Sequence, residues 1–494
     1  MKHTPDVVSD AAGRIQSAVF TDEQVRTLHH ATLEILETTG IKVESREALE
    51  IFSGAGARVD RSGTHGIVKI SPDIIEKCIH SAPSRVTYHG RDAKYDFIAE
   101  PNKVGFSTFG ECVQIIDPMT RRLRSTTKAD LGKITRVCDR LEEIVIVERP
   151  VGSLEQFAAT QALHNYEAMV SNTGKHLFLG FYSGGNATRI AQMAAACVGG
   201  DKNFRKRTPV TAFVCPTSPL VLVKMCCDVI IQSARLGIGV APISMVLAGT
   251  TSPVTLAGSI VLHNAEVLSA IVLAQLTAPG IPCTYASMST IIDLRTAVPV
   301  TGSPEHGLIS AGLTQLAKMY QLPCWVGGGV SDSKIPDTQA AYDFSLSATM
   351  AALSGPNFVY GAGALESGLT FDYAKLIMDC EQIGRIQHML KGIPVNQNTL
   401  ALDIIKEVGP GGEFLTHSHT FDNMRATSKS DLFDRRNRSN WMDKTAGKDL
   451  TERGYERALE IISSHEPPPL PEGAAEAMRS IIDDYEIKLK LKVS

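Results

Sequence analysis

Residues 210–246 read VTAFVCPTSPLVLVKMCCDVIIQSARLGIGVAPISMV, and they contain one complete strand–helix–strand repeat. A short apolar run, Val210–Cys215, stops at Pro216 and Thr217. A segment of helical period follows over 219–236, and a second apolar run, Ala241–Val246, begins just after Gly239. Both runs are mostly apolar, broken by Thr211 in the first and by Pro242 and Ser244 in the second, as expected of strands buried on both faces of a parallel sheet.

The same unit recurs on either side. Strand-like runs occupy Val104–Phe109, Ile144–Val147, His176–Phe181, Pro282–Ala286, Pro323–Val326 and Asn357–Tyr360, which with the first two makes eight. Helical segments alternate with them near 127–141, 153–170, 185–198, 255–277, 305–320, 336–353 and 369–391. Eight such repeats predict an α/β fold, a (β/α)8 TIM-like barrel over residues 101–395. The competing architecture, an open doubly wound sheet, usually carries a Gly-rich phosphate loop in its first βα unit. Here the Gly-rich stretch, Val326–Val330, comes at the seventh strand and matches no nucleotide-binding pattern.

Residues 1–100 differ in pattern and predict an N-terminal α+β cap. It contains a helix that opens with the capping box Thr21/Gln24 and ends at Gly40. Residues 396–494 predict a C-terminal helical extension, with helices at 399–407, 449–463 and 473–490 and a Pro467–Pro469 break.

Composition narrows the function. The net charge of −4 and the scattered basic residues give no electrostatic footprint for nucleic acid. The apolar run 254–276 is interrupted by His263, Asn264 and Glu266, so it predicts a buried helix and no membrane span. The opening MKHTPDVVSD lacks the apolar centre of a secretion signal, and ten scattered cysteines suit a reducing, cytoplasmic compartment.

Ligands of such barrels bind where the strands end and the loops into the helices begin. That rule selects Phe106, Phe109, Glu111, Arg149, Phe181, Tyr182, Cys215, Tyr285, Gly327–Gly329, Asp332, Lys334, Tyr360 and Glu366. The set is rich in aromatic and small residues and poor in histidine. Its carboxylates Glu111, Asp332 and Glu366 stand far apart in sequence, so a paired-carboxylate hydrolase is open but unsignalled. No GxSxG elbow points to a serine nucleophile. His417 and His419 could share a metal, but no third ligand stands at a familiar spacing, and a structural role is the simpler reading.

Several longer segments resemble the trimethylamine methyltransferase family of corrinoid-dependent methyltransferases. They are HHATLEILETTGIKV at 29–43, GFSTFGECVQIID at 105–117, APISMVLAGTTSPVTLAG at 241–258, LPCWVGGGVSDSKIPDTQAAYD at 322–343 and VGPGGEFLTHSHT at 408–420. A further match, PGIPCTYASMSTIIDLRTAVPVTGSPEHGL, covers 279–308. The resemblance implies a barrel enzyme that moves a methyl group from a methylamine to Co(I) of a corrinoid. The cobalamin travels on a separate small protein, so no tightly bound cofactor is expected. Members acting on trimethylamine carry pyrrolysine; this chain has none, and so resembles the branch that includes glycine betaine methyltransferase.

A quaternary nitrogen fits a site with few acid–base groups, because loss of one methyl releases a neutral amine without proton transfer. The expected cage is Phe106, Phe109, Phe181, Tyr182, Tyr285 and Tyr360, at about 0.5–2 kcal/mol per cation–π contact. Glu111, Asp332, Lys334 and Gly328 complete the expected substrate contacts; Arg149, Lys334, Arg295 or the Gly327–Gly329 amides would take a betaine carboxylate. Proline betaine, carnitine and choline are alternative substrates, and a non-catalytic amine binder is the rival of another class. A homo-oligomer is expected.

Overall fold

The computed structural model describes residues 16–493; the opening MKHTPDVVSD lies outside them. Eight parallel strands close into a barrel. They are β1 (Gly105–Thr108), β2 (Ile144–Glu148), β3 (His176–Gly180), β4 (Val210–Val214), β5 (Val240–Ser244), β6 (Tyr285–Ser287), β7 (Cys324–Gly327) and β8 (Phe358–Ala362). Each pairs with its sequence neighbour, and β8 closes on β1 through Phe358 opposite Gly105. Every residue of β3, β4 and β5 is buried, which is why these runs carry no hydrophobic–polar alternation. A register shift between Tyr360 and Ala362, at Gly361 with φ 141°, bends the top of β8.

The helices between the strands are α1 (Lys128–Arg140), α2 (Gln161–Val170), α3 (Gly184–Cys197), α4 (Lys224–Leu236), α5 (Leu256–Thr277), α6 (Pro304–Met319), α7 (Thr338–Ser354) and α8 (Tyr373–Leu390). Local chemistry fixes their ends. Thr127 and Asp130 form a capping box on α1, and left-handed Gly237 and Gly355 terminate α4 and α7.

Helix α4 begins later than its sequence period suggests, because Val221–Leu222 pairs in parallel with the cap strand Ile41–Val43. Tertiary pairing there overrides helical propensity.

Helix α5 is long and apolar enough to cross a membrane, yet 72% of its most apolar window is buried inside the fold. Its polar residues explain why. The Glu266 carboxylate accepts hydrogen bonds from Ser218 Oγ at 2.8 Å, Leu220 N at 2.9 Å and Ser244 Oγ. Asn264 donates to Thr32 and Tyr320 and accepts from Tyr285. All ten cysteines are free, and nine of them are buried.

The cap helix Asp22–Glu34 carries the expected capping box, and Gly40 at φ 78° ends the π-turn that follows it. Beside it lies an antiparallel sheet of Ile41–Val43, His65–Lys69 and Arg58–Ser62. The hairpin Val86–Tyr88 and Phe97–Ala99 does something the sequence pattern does not reveal: it plugs the barrel floor. Tyr88 packs edge-on against Phe358 at 4.8 Å, and Phe97 lies 4.8 Å from the same ring.

The extension helix Leu450–Ser464 packs on α8, where bare Gly454 lets it approach Ala374 and Tyr455 binds Asp372. The last helix, Ala474–Val493, packs on α3 through Met478 against Cys197 and Arg189 over the Tyr485 ring.

Candidate active site at the barrel mouth

The barrel interior is layered aromatic. Above the plug lie Phe178 and Trp325, edge to face at 4.8 Å, with the indole N–H donating to Ser107 Oγ at 3.2 Å. Tyr360 stands above Trp325 at 5.4 Å and stacks on Phe109 at 5.1 Å and 29°. The Tyr360 hydroxyl donates to the Ser287 carbonyl at 2.8 Å, which locks the ring in place.

Phe109 is roofed by the segment 366–368. An added Cβ on Gly368 would lie 2.2 Å from its ring, so only glycine fits there. Glu366, Ser367 and Gly368 are all left-handed, at φ 50°, 54° and 96°. The strained turn is held by hydrogen bonds from Glu366 N to Ser333 O and from Ser367 N to Ser331 O, both 2.9 Å.

Three glycines at strand ends mark where polar groups enter. A Cβ on Gly110 would overlap the Glu148 carboxylate; one on Gly180 would sit 3.3 Å from Glu111 Oε1; one on Gly327 would sit 2.4 Å from His306 Nε2 and 2.8 Å from the Tyr360 hydroxyl oxygen. Glu148, Glu111, His306 and Tyr360 therefore converge where β1, β3, β7 and β8 end.

Their electrostatics are unusual. Glu148 is buried, and its Oε2 has no hydrogen-bond partner. Burial pushes its carboxyl well above the usual carboxylate range, with the Arg149 charge opposing and Glu111 adding to the rise. His306 Nδ1 lies 3.1 Å from the Ser289 carbonyl, which can only accept, so Nδ1 carries the proton and Nε2 is a bare acceptor. Burial lowers its pKa and keeps the ring neutral, and Nε2 too is buried without a partner.

At the rim, Glu111 accepts from the Tyr182 hydroxyl at 2.8 Å and pairs with Arg149, whose guanidinium also reaches the Tyr182 hydroxyl. The Arg149 Nε is a buried donor without a partner. Cys215 lies close by; burial pushes its thiol up to about 12, with further increments from Glu111 and Glu148, so it is no thiolate.

Of the ten expected substrate contacts, Phe109, Glu111, Tyr182 and Tyr360 meet at this mouth, and Lys334 stands exposed on the rim with Nζ donating to the Asp332 carbonyl at 2.7 Å. Five do not join them. Tyr285 faces the helices: its hydroxyl donates to Asn264 at 2.9 Å and its ring meets His263 and Tyr320.

Phe106 precedes inward-facing Ser107, and Phe181 follows inward-facing Gly180, so strand alternation turns both toward the helix layer. Gly328 is a packing glycine against Ala348 and Ala351 of α7. Asp332 clamps a loop, accepting from Thr301 N and Oγ1, Gly302 N and Ser367 Oγ.

The amides of Gly328 and Gly329 are engaged by the Tyr360 carbonyl and Ser347 Oγ, and Arg295 is an exposed partner of Asp293. Glu148, His306 and Trp325 escaped the sequence reading; Gly110 opposite Glu148 and Gly327 opposite His306 were the signal for the first two, and Trp325 had none of this kind. Among the described residues no cluster of histidine, cysteine and carboxylates could hold a metal, and His417 instead accepts from the His419 amide at 3.0 Å.

The family described as trimethylamine methyltransferase (MTTB) matches residues 6–488 of the chain. A trimethylamine methyltransferase of Desulfitobacterium hafniense is 47% identical over 95% of this chain and 94% of its own length. The Methanosarcina thermophila trimethylamine methyltransferase is 37% identical over 93% and 96%. A glycine betaine methyltransferase of Desulfitobacterium hafniense is 31% identical over 92% and 94%.

Proposed function

Since the chain belongs to the trimethylamine methyltransferase family and is a methyltransferase enzyme, we propose that its methyl donor is a quaternary amine, specifically glycine betaine. The acceptor would be Co(I) of a corrinoid carried by a partner protein, and the products dimethylglycine and methyl-Co(III). The carrying observation is the set of unpartnered atoms at the mouth: two buried acceptors, Glu148 Oε2 and His306 Nε2, and one buried donor, Arg149 Nε. Acceptors beside stacked aromatic rings suit a cation, and a nearby guanidinium N–H suits a carboxylate. Glycine betaine is a small zwitterion that presents both.

Displacement at the methyl carbon breaks its bond to nitrogen and forms one to cobalt, while the bonding pair stays on nitrogen as a neutral tertiary amine. No proton moves, so the neutral His306 and the protonation-prone Glu148 are not needed as acid or base. What the chain supplies is orientation and exclusion of water: Phe109 and Tyr360 hold the ammonium head, with Glu111 and Tyr182 positioning Arg149 for the carboxylate. A weak counter-anion is the better choice, because positive charge leaves nitrogen in the transition state. Trimethylamine is the substrate named for two of the relatives, but its unactivated nitrogen is a poor leaving group, and this chain contains no pyrrolysine.

The corrinoid carrier needs a docking face above the mouth. Loops rising from the strand ends expose Leu154, Phe157, Val254, Leu294, Ile335 and Leu369, a discontinuous apolar ring suited to a partner that comes and goes. Unpaired, buried cysteines support a cytoplasmic location.

The deciding experiment is anaerobic. Protein, glycine betaine and Co(I) cobalamin are mixed and the visible spectrum is followed, with and without the corrinoid carrier. Conversion to methyl-Co(III) with matching dimethylglycine supports the proposal. Conversion only with proline betaine, carnitine or choline corrects the substrate. Binding without conversion in the presence of the carrier overturns the catalytic reading in favour of a binding protein.

A further inference from the structure

Strand β4 places one more aromatic ring in the barrel, on the side away from Phe109 and Tyr360. Thr211 faces the lumen, since its Oγ1 meets His176 Nε2 at 2.9 Å and the His176 ring packs edge-on against the Tyr88 plug. Strand alternation then turns Phe213 inward as well, and Cys215 after it. Phe213 is 9% exposed, and its ring comes within 6.3 Å of Trp325 at a tilt of 53°.

In the closed barrel β4 stands across the lumen from β8, so Phe213 and Tyr360 approach Trp325 from opposite sides. The neighbours of Phe213 are small. Gly180 on β3 and Ala241 on β5 stand in register with it. A Cβ on Gly180 would lie 3.3 Å from the Phe213 ring, so the ring leans over the bare glycine. In the row Gly180, Phe213 and Ala241, the Phe213 ring alone decides how far the lumen extends away from Tyr360. Cys215 carries the same face of β4 up to the carboxylates Glu111 and Glu148. Strand β4 therefore lines the site from the Trp325 floor to the rim.

We infer that Phe213 is the far wall of the ammonium site and sets the size of the head group that the site admits. The inference rests on the reading of the mouth as a site for a quaternary amine. A nitrogen bearing several methyl groups spreads its charge over all of them, so faces on more than one side are needed to hold it. Phe109 and Tyr360 supply one side, Trp325 the floor, and Phe213 the side these leave open.

The consequence is a ceiling on size. Protein interiors are close-packed, and the Phe213 ring is backed by Trp325 and by the strand of Gly180. Lengthening each methyl on the nitrogen to an ethyl pushes the head group into that ring, and overfilling a packed site is unfavourable. A wall of this kind leaves the carboxylate contacts at Arg149 untouched, so it acts on the head group alone.

Calorimetric titration of the full chain compares glycine betaine with its N,N,N-triethyl analogue, which keeps the carboxylate and enlarges only the head. The wild type should prefer glycine betaine by about 100-fold or more. Phe213→Leu, which removes the π face, should weaken glycine betaine about 3- to 30-fold. Phe213→Ala should bind the analogue better than the wild type does, so that the preference falls at least about 30-fold. Phe106→Leu, on the outward face of β1, should leave the preference unchanged. The preference compares two ligands on one protein, so a partly unfolded variant does not alter it. Should Phe213→Ala fail to fold, the wild-type preference and Phe213→Leu still decide the matter. Equal affinity of the wild type for both ligands, or an unchanged preference and glycine betaine affinity in the Phe213 variants, would overturn the inference and leave the proposed substrate standing. A wild type that binds no glycine betaine would overturn the proposed function, and this inference with it.

Discussion

The Tyr182 hydroxyl donates to Glu111 at 2.8 Å, and both residues hold the left-handed conformation, at φ 60° and 73°. Neither is glycine or asparagine, so each position costs about 1–2 kcal/mol of backbone strain. The two strained residues share one partner, the buried Arg149, whose guanidinium neutralises Glu111 and meets the Tyr182 hydroxyl. Strain of this kind persists where the surroundings over-determine it, and here it aims a cation at the rim of the mouth. Tyr182→Phe removes the hydroxyl while keeping the ring. It should raise the KM for glycine betaine about tenfold, the scale of one charge-assisted hydrogen bond, and change kcat little. An unchanged KM would separate Arg149 from the substrate carboxylate.

Glu148 gives a pH prediction. Burial raises its carboxyl pKa, so at low pH the empty site holds a neutral acid. A cation favours the ionised form, so substrate affinity should rise with pH until the raised pKa is passed, and binding should release a proton. Folding stability without ligand should move the other way. The folded state favours the protonated acid, so stability falls as pH increases from the unfolded value toward the folded one. Glu148→Gln should flatten both dependences and weaken binding about tenfold or more. Calorimetric titration in buffers of differing ionisation enthalpy checks the proton release directly. His306 contributes no slope above neutrality, since burial keeps it uncharged there.

The eight strands were legible because each is a short apolar run cut by Gly, Pro or a hydroxyl residue, with a helical segment behind it. Side-chain direction was not legible. Strands buried on both faces show no alternation, so nothing in the runs separates inward Tyr360 from outward Tyr285, though both are tyrosines of barrel strands. Glu148 was hidden for a related reason: a carboxylate closing an apolar run reads as the point where the strand meets solvent, whereas here it turns into the barrel against bare Gly110. Asp332 misled in the opposite sense, a conspicuous rim carboxylate whose oxygens are taken up by the 301–302 turn and Ser367. Glycines facing polar groups carried the information, and glycine alone does not say what it makes room for.

Gly327 allows a direct test of that point. A methyl group there would press on both His306 Nε2 and the Tyr360 hydroxyl oxygen. Gly327→Ala should fold, at a cost of about 1–3 kcal/mol for overpacking, and lose about 100-fold in kcat/KM as the floor of the mouth shifts. Gly328→Ala is the control: its methyl would press on α7 instead, so it should lower the melting temperature with much less effect on kinetics. Equal kinetic losses would mean that the whole strand end, and not the His306–Tyr360 corner, sets the rate.

The two layers of aromatic residues predict opposite phenotypes. Phe109 is stacked on Tyr360 beneath the 366–368 roof, and the proposed binding mode has it hold the methylammonium. Phe109→Leu keeps the apolar bulk and removes the π face, so glycine betaine should bind about 3- to 30-fold more weakly with only a small change in stability. Tyr285 lies behind the strands with its hydroxyl on Asn264. Tyr285→Phe leaves the Asn264 carbonyl oxygen short of a donor and should cost about 1 kcal/mol, a melting shift of about 1–2 °C, with kcat/KM intact. Binding isotherms and thermal melts of both variants, measured side by side, distinguish cage from core. If Tyr285→Phe weakened substrate binding while Phe109→Leu did not, the cation would have to sit deeper than the mouth, and the placement of the ammonium head on Phe109 and Tyr360 would fail.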